Sequence, residues 1–209
     1  MLAFLDGRAL NGTFATLEDA MRAAAAGAGD RLITEAHADG VPVPVEDLVH
    51  PPARPDYARE VRFVSAHPAE LACAALQEAA RELESLRPRQ ARIADRIRTG
   101  EIAGGLNELH EVLTSWEKVR GVLQLARRAM ATASGEAAPD AGVDRAVESL
   151  AAELRELHRS LAVEDWATAS DQLAYSMEEM AIRWHDLFLT LGARAANAGA
   201  AGNRVPRAE

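Results

Sequence analysis

The chain has 209 residues, 48% of them hydrophobic and only 4% aromatic, which is enough apolar material for one large domain or two small ones. Its formal net charge is −9, and acidic groups outnumber basic ones both in residues 1–66 and in residues 67–192. Binding to nucleic acid or to an anionic membrane depends on Lys and Arg that neutralise phosphate, so this acidic body argues against both kinds of partner.

Cysteine use and the N-terminus both favour a cytoplasmic protein. Cys73 is the only cysteine, which excludes an internal disulfide and fits a reducing compartment. The first ten residues contain Asp6 and lack the basic region and long apolar run of a signal peptide. No stretch of 18 apolar residues occurs, so no membrane-spanning helix is predicted. Frequent Ala, and Arg in place of Lys at every basic position except Lys118, suggest a GC-rich bacterial gene.

Residues 1–66 alternate short apolar runs with turns. The run Leu2–Leu5 ends at Asp6-Gly7, a dipeptide that favours a type I′ hairpin turn because both central positions need positive φ. A second run, Leu32–His37, is followed by a similar dipeptide, Asp39-Gly40. Each pair predicts a hairpin.

A helix is predicted between the hairpins and a last strand after them. Thr16 and Asp19 form a capping arrangement, and the apolar-rich stretch that follows ends near Gly27. Beyond a proline-rich loop, Val61 and Phe63 share one parity of the segment 57–65. This alternation predicts a strand.

This order of elements, strand-strand-helix-strand-strand with a late extra strand, resembles the β-grasp fold of ubiquitin-like domains. Ubiquitin-like modifiers and sulfur carriers end in a free Gly-Gly, whereas here Gly104-Gly105 lies in a predicted helical region and the chain ends in Arg207-Ala-Glu209. We therefore interpret residues 1–66 as a small β-grasp-like docking module and not as a conjugated modifier.

The rest of the chain carries a 3-4 apolar rhythm in three predicted helices. Such spacing lines a narrow seam along each helix, and the seam can be buried only against other helices. The seams therefore predict an antiparallel helical bundle. Their members are Ile102, Leu106, Leu109, Leu113, Trp116 and Leu123; Val143, Val147, Leu150, Leu154, Leu157 and Leu161; and Leu173, Met177, Met180, Trp184, Leu187 and Leu191.

Proline and glycine set the predicted boundaries of the helices. Pro68 suits a first helical position, Pro88 is expected to end that helix, and Gly100 is expected to end a short helix that follows. Residues 134–142 are predicted to be a loop. The predicted fold class is α+β, with a β-grasp-like (ββαββ) domain over residues 1–66, a helical bundle over residues 67–192 and a disordered tail over residues 193–209.

No catalytic or metal-ligand pattern is found in the sequence. A dimetal site in a bundle needs Glu-x-x-His pairs, but Asn107, Arg155 and Ile182 stand three residues before the histidines of the helical region. The sequence also lacks a His-x-x-x-His pair, a Cys pair, a G-x-S-x-G elbow, a Walker loop and a G-x-G-x-x-G motif. We expect no catalytic residue, no metal and no cofactor.

The acidic residues of the last helix favour a solvated face. Glu179 stands four residues before Arg183, which is the favourable orientation for an ion pair on a helix surface. Asp171, Glu178 and Asp186 are interpreted in the same way. A hypothesis of an enzyme with a scattered site around these acids, His158 and His185 stays open.

Met177 and Met180 lie beside Trp184, a combination that suits an adaptable groove for a partner helix, and Trp166 falls near the same seam. Large aromatic residues at seam positions normally fill the core, so both interpretations of these residues stay open.

Basic residues cluster on one predicted short helix. Arg89, Arg92 and Arg96 share a face, which could bind an acidic partner or a phosphate. The alternative is neutralisation by acids on neighbouring turns. These acids are Glu82, Glu84, Asp95 and Glu101.

The helical part resembles bacterial flagellar export chaperones of the FliS type, in which a short helix pair precedes longer bundle helices that cradle an unfolded partner. The similar residues are the segment from His67 to Leu71, Thr99-Gly100-Glu101 and Trp184. The whole chain also resembles bacterial proteins of uncharacterised activity that join a short β-rich module to a helical C-terminal domain, a resemblance that implies no activity.

The leading hypothesis is a non-enzymatic adaptor or chaperone that binds a partner helix on its helical bundle. One alternative is a homodimer in which the seams mediate self-association, and the other is the enzyme with a scattered site. All three hypotheses expect neither nucleic acid nor a membrane as partner.

Overall fold

The computed structural model describes residues 1–55, 57–134 and 140–202, except for the side chains of residues 132–134 and 199–202. The fold class is α+β, as predicted, with a small sheet first and helices after it. Two compact units are present, Met1–Pro68 and Ala69–Glu209, so the division falls two residues after the expected boundary at 66.

The N-terminal unit is built on a five-stranded mixed sheet in the order β2-β1-β5-β3-β4. The last strand, β5, lies in the middle, parallel to β1 and antiparallel to β3. A five-residue helix, α2, was not predicted. The elements are β1 (Leu2–Leu5), β2 (Arg8–Ala9), α1 (Leu17–Ala28), β3 (Leu32–Ala38), β4 (Val41–Pro42), α2 (Val45–Val49) and β5 (Glu60–Ala66).

One face of the sheet is buried against α1. Val61 and Phe63 of β5 point inward on the predicted parity, beside Ala3 of β1. The helix meets them with a row of mostly small side chains spaced three or four residues apart, which lets the helix lie close to the sheet. This row consists of Leu17, Ala20, Ala24 and Ala28.

Both predicted hairpin turns have the expected backbone. Asp6 and Gly7 have φ values of 49° and 77°, and Asp39 and Gly40 have values of 49° and 85°. These left-handed conformations are those that a type I′ turn requires. The predicted cap is also present, since the Thr16 hydroxyl accepts a hydrogen bond from the Asp19 N–H at 3.2 Å.

The second unit is helical apart from its joints. Its long helices bury one shared apolar core, and a π-helical turn leads into the last helix. No helix in the described ranges is long and apolar enough to cross a membrane. The elements are α3 (Pro68–Arg98), α4 (Ile102–Ser134), α5 (Ala141–Ala162), α6 (Trp166–Asp171), the π-helical turn (Gln172–Ser176) and α7 (Met177–Gly202).

The expected break at Pro88 is wrong, because α3 continues through it. Leu86 and Ile93 lie on either side of the proline and are both fully buried, so the apolar face needs a continuous helix. Pro88 itself is exposed. A backbone carbonyl that loses its N–H partner there can bond to water instead.

The last helix also extends beyond the predicted end of the bundle. It reaches Gly202, and Ala195 is buried one turn after the buried Leu191, so the apolar seam continues past residue 192. Residues 193–202 are therefore helical where a disordered tail was expected. Residues 203–209, and residues 135–139 of the predicted loop, lie outside the described part of the chain.

The seam of α4 differs from the predicted one. Leu106 is exposed, whereas Gly105, Val112 and Val119 are buried. Because glycine has no apolar side chain, the periodicity of apolar residues placed the neighbouring Leu106 in the seam instead of Gly105. A Cβ atom at Gly105 would lie only 2.9 Å from Cγ1 of Ile97, which shows how closely α3 and α4 approach each other.

Aromatic residues and unpaired polar atoms share the core of the helical unit. Trp116 and Trp184 meet edge to face with ring centroids 5.8 Å apart. Phe188 continues the cluster, with its centroid 5.7 Å from that of Trp184. Both indole N–H groups and both amide atoms of the buried Gln90 lack a hydrogen-bond partner among the described residues.

Candidate interaction surface

The predicted methionine groove is not on the surface. Met177 and Met180 are each 1% exposed and Trp184 is 0% exposed, so all three fill the core. Trp166 is half-buried and packs against the same core. The described structure therefore agrees with the core interpretation of these residues and offers no exposed groove at this position.

The arginine cluster is neutralised, mainly by acids of another helix. Arg89 binds Glu111 at 3.0 Å, and Arg92 and Arg96 both bind Glu108, at 3.3 and 2.6 Å. Of the acids expected from the sequence, Glu101 lies 3.7 Å from Arg96, and Asp95 binds Arg98. Glu82 and Glu84 have other contacts, with Ser85 and His185.

Ion pairs between helices define how the neighbours of α3 run. Arg89 faces Glu111 and Arg96 faces Glu108, so the numbers fall along α4 as they rise along α3. Arg87 faces Glu178, and Arg98 faces Asp171 at the start of the segment leading into α7. Both neighbours are therefore antiparallel to α3.

Three large side chains remain exposed on one face of the last helical segment. Tyr175, Ile182 and Leu189 are 68%, 40% and 48% exposed, and each is seven residues from the next. Seven residues are close to two full turns, so these side chains lie nearly one above another. We call these three residues the α7 row. Sequence reasoning missed it because the buried seam of the same helix carries a longer and more regular apolar pattern.

The first member of the row, Tyr175, lies in the π-helical turn. This turn spans Gln172–Ser176 and adds a wider turn just where Tyr175 points outward. The Ser160 hydroxyl of α5 donates a hydrogen bond to Oε1 of Gln172 at 2.8 Å, which ties this turn to the neighbouring helix. Single π-turns inside helices are frequent at functional sites, because they change which face carries the following residues.

Acidic side chains flank the α7 row. Asp171 pairs with Arg98 at 3.4 Å, and Glu178 pairs with Arg87 at 2.9 Å. Glu179 lies 3.7 Å from Arg183, which is the pair predicted from the sequence, and Asp186 lies 3.1 Å from His185. All the side chains in these four contacts are exposed or half-buried, so each contact stabilises the fold by less than about 1 kcal/mol.

The candidate histidines lie in different settings. His185 is 24% exposed and lies between Glu84 at 3.3 Å and Asp186 at 3.1 Å. His158 is exposed on α5. Within the described ranges, no group of three or more His, Cys, Asp or Glu residues is placed to hold a metal ion.

Comparisons with known proteins do not assign the chain to a family. No family model matches it, and no curated protein or solved structure is significantly similar to it. The resemblance to FliS-type chaperones stays a prediction.

Proposed function

We propose that this protein is a non-enzymatic adaptor or chaperone whose helical unit binds a helix of a partner protein on the α7 row. The observation that carries the proposal is the exposure of Tyr175, Ile182 and Leu189 on one helix face, while the seam of the same helix is buried in the core. An apolar row with helical spacing fits the recognition mode in which a partner helix docks through its own apolar face.

Burial favours the row over the groove predicted from the sequence. A partner could reach Met177, Met180 and Trp184 only after the helices separate, because these side chains are at most 1% exposed. Removing one large side chain from such a core already costs about 2–5 kcal/mol. The row is accessible without that cost.

The architecture is proposed at a finer level than α+β. The central parallel pair of β1 and β5 in a five-stranded sheet supports a β-grasp-like docking module for the N-terminal unit. The antiparallel ion pairs of α3 with its two neighbours support an antiparallel bundle for the helical unit. A cytoplasmic location stays part of the proposal.

A capture experiment tests the proposed function. The full-length protein is used as bait in native extract beside the double variant Ile182→Asp/Leu189→Asp. We expect the wild type to retain a specific set of proteins that the double variant loses, because two carboxylates would be desolvated under a docked helix. Circular dichroism and tryptophan fluorescence check that the variant is folded.

A control variant at another exposed apolar residue shows whether loss of capture is specific to the row. Leu125 of α4 is 65% exposed, and Leu125→Asp is expected to capture the same set as the wild type. The same set captured by all three proteins would contradict docking on the α7 row. An equal loss in both variants would contradict it too, because the effect would not belong to the row.

A further inference from the structure

We infer that the partner helix of the α7 row is basic, with Arg or Lys on both sides of its apolar stripe. This inference deepens the proposed function and rests on it. The occupant is therefore a cationic amphipathic helix and not a second copy of this chain.

Acidic residues predominate in the helical segment that carries the row. Residues 171–193 contain four acidic residues and a single arginine, Arg183. The acids lie within three or four positions of row members, so they line the row along its length. They are Asp171, Glu178, Glu179 and Asp186.

Each of these acids has an exposed or half-buried basic partner. Asp171 and Glu178 pair with arginines of α3, and their side chains are 65% and 40% exposed. Glu179 is 3.7 Å from Arg183, and Asp186 has the imidazole of His185 beside it. Exposed pairs of this kind are weak, so cations of a docked helix can share or replace the present partners at little cost.

The flanking acids oppose pairing of the row with a second copy of this chain. Glu179 and Asp186 are seven residues apart and lie on one side of the row, so an antiparallel copy centred on Ile182 would set Glu179 beside Asp186 of the other copy. A parallel copy would set Glu178 beside Glu179 of the other copy. Like charges beside an apolar stripe oppose pairing, as they do at the flanking positions of coiled coils. A helix with Lys or Arg at those positions meets the acids with opposite charge in either direction.

The excess of acidic residues in the whole helical region also favours a cationic partner helix. Residues 67–192 contain 21 acidic and 14 basic residues. This field attracts a cationic segment before contact and repels an acidic one, an effect that salt reduces. The row supplies the apolar contact with the partner helix, and the flanking acids favour a cationic helix over an acidic one.

Three synthetic helical peptides test the inference on the full-length protein. All have about 20 residues, a length at which an isolated helix is stable enough to study, and the same apolar stripe. The positions that flank the stripe are all Lys, all Gln or all Glu. Binding is measured by fluorescence anisotropy at low and at high salt. The protein is wild type, Ile182→Asp/Leu189→Asp, or Glu179→Gln/Asp186→Asn.

We expect the Lys peptide to bind about tenfold or more tightly than the Gln peptide at low salt, the Glu peptide to bind weakest, and the difference to fall below about threefold at high salt. The row variant should lose binding of all peptides. The charge variant should still bind but with a preference for Lys reduced by about threefold.

The outcomes distinguish the inference from the proposed function. Equal affinity for the three peptides, with loss in the row variant, would overturn the basic partner and leave helix docking in place. No binding of any peptide would overturn both. Binding of the Lys peptide that is unchanged in the row variant would assign the charge effect to another surface and would also overturn the inference.

Discussion

Gln90 is the residue whose surroundings agree least with its chemistry. It is fully buried in α3, and neither amide atom has a hydrogen-bond partner in the described part of the chain. A buried polar group without a partner costs about 1–3 kcal/mol, because it has lost its bonds to water. Its neighbours along the seam are apolar, so an apolar side chain of similar volume would suit the position better.

Replacing the amide therefore predicts a gain in stability. Gln90→Met is expected to raise the free energy of unfolding by about 1–3 kcal/mol, since it keeps the volume and removes the unpaired atoms. Urea denaturation followed by tryptophan fluorescence measures this change in the helical unit, which contains all three tryptophans. Gln124→Met, at an exposed position of α4, is the matched control with an expected change within about 0.5 kcal/mol. Destabilisation by Gln90→Met would show that the amide is bonded in solution.

Asp6 couples the stability of the N-terminal unit to pH. Its carboxylate accepts hydrogen bonds from the hydroxyl and the N–H of Ser65 at 2.6 and 2.8 Å, and these bonds lower the pKa of Asp6 below its usual value. A carboxyl with a lower pKa in the folded state contributes stability that is complete above its unfolded pKa. This contribution is lost as the pH falls through the folded pKa.

The expected consequence is an acid-sensitive N-terminal unit. Its unfolding free energy should fall as the pH drops below about 4, and Asp6→Asn should make the unit less stable at neutral pH and less sensitive to acid. Amide signals of β1 and β5, followed by NMR during urea titrations from neutral to acidic pH, measure this unit separately. Asp140 and Asp165 also have lowered pKa values but lie in the helical unit. Identical pH profiles for variant and wild type would contradict the assignment to Asp6.

At the scale of elements, the two hairpin turns do more than reverse the chain. The Asp6 side chain binds Ser65 near the end of β5, and Asp39 accepts hydrogen bonds from the backbone N–H groups of Arg59 and Glu60 at its start. Each turn therefore holds one end of the last strand between β1 and β3. The Asp-Gly pairs predict the turns from sequence, but their contacts with β5 join residues 59 positions apart for Asp6 and 20 or 21 positions apart for Asp39, which a local pattern does not contain.

Close packing of α3 on α4 depends on Gly105. Gly105→Ala is expected to lower the free energy of unfolding by about 1–3 kcal/mol, because the new methyl group would collide with the buried Ile97. Gly121→Ala is the matched control in the same helix. Nothing lies within 4 Å of its added Cβ, so alanine should stabilise the helix by about 0.5–1 kcal/mol. Urea denaturation measures both, and stabilisation by Gly105→Ala would contradict the close approach.

Apolar periodicity predicted the helices better than it predicted their ends and faces. The seam rhythm located three long helical segments, since amphipathic spacing survives in any packing arrangement. Pro88 and the Gly- and Ala-rich stretch after residue 192 were wrongly expected to interrupt helix. Burial of Ile93 in the core offsets the cost of Pro88, which is about 3 kcal/mol in a helix interior. After residue 192, frequent Ala favours helix more than the glycines oppose it, and Ala195 is buried in the same core.

At the scale of the whole molecule, the candidate site consists of large side chains that the core does not bury. Sequence reasoning proposed Met177, Met180 and Trp184, the most regular apolar positions, and the core uses these first. The α7 row lies outside the seam. The acids that flank it, and the arginines of α3 that reach them, come together only through the register between helices. That register depends on side-chain packing between segments and could not be predicted from spacing along one of them.

Docking of a different protein on the α7 row requires that a second copy of this chain does not cover the row. Light-scattering mass of the purified protein over a wide concentration range measures whether it does. We expect a monomer of 22.4 kDa for the wild type and for Ile182→Asp/Leu189→Asp alike. A wild-type dimer that the double variant converts to a monomer would contradict this expectation, because the row would then be the surface for self-association.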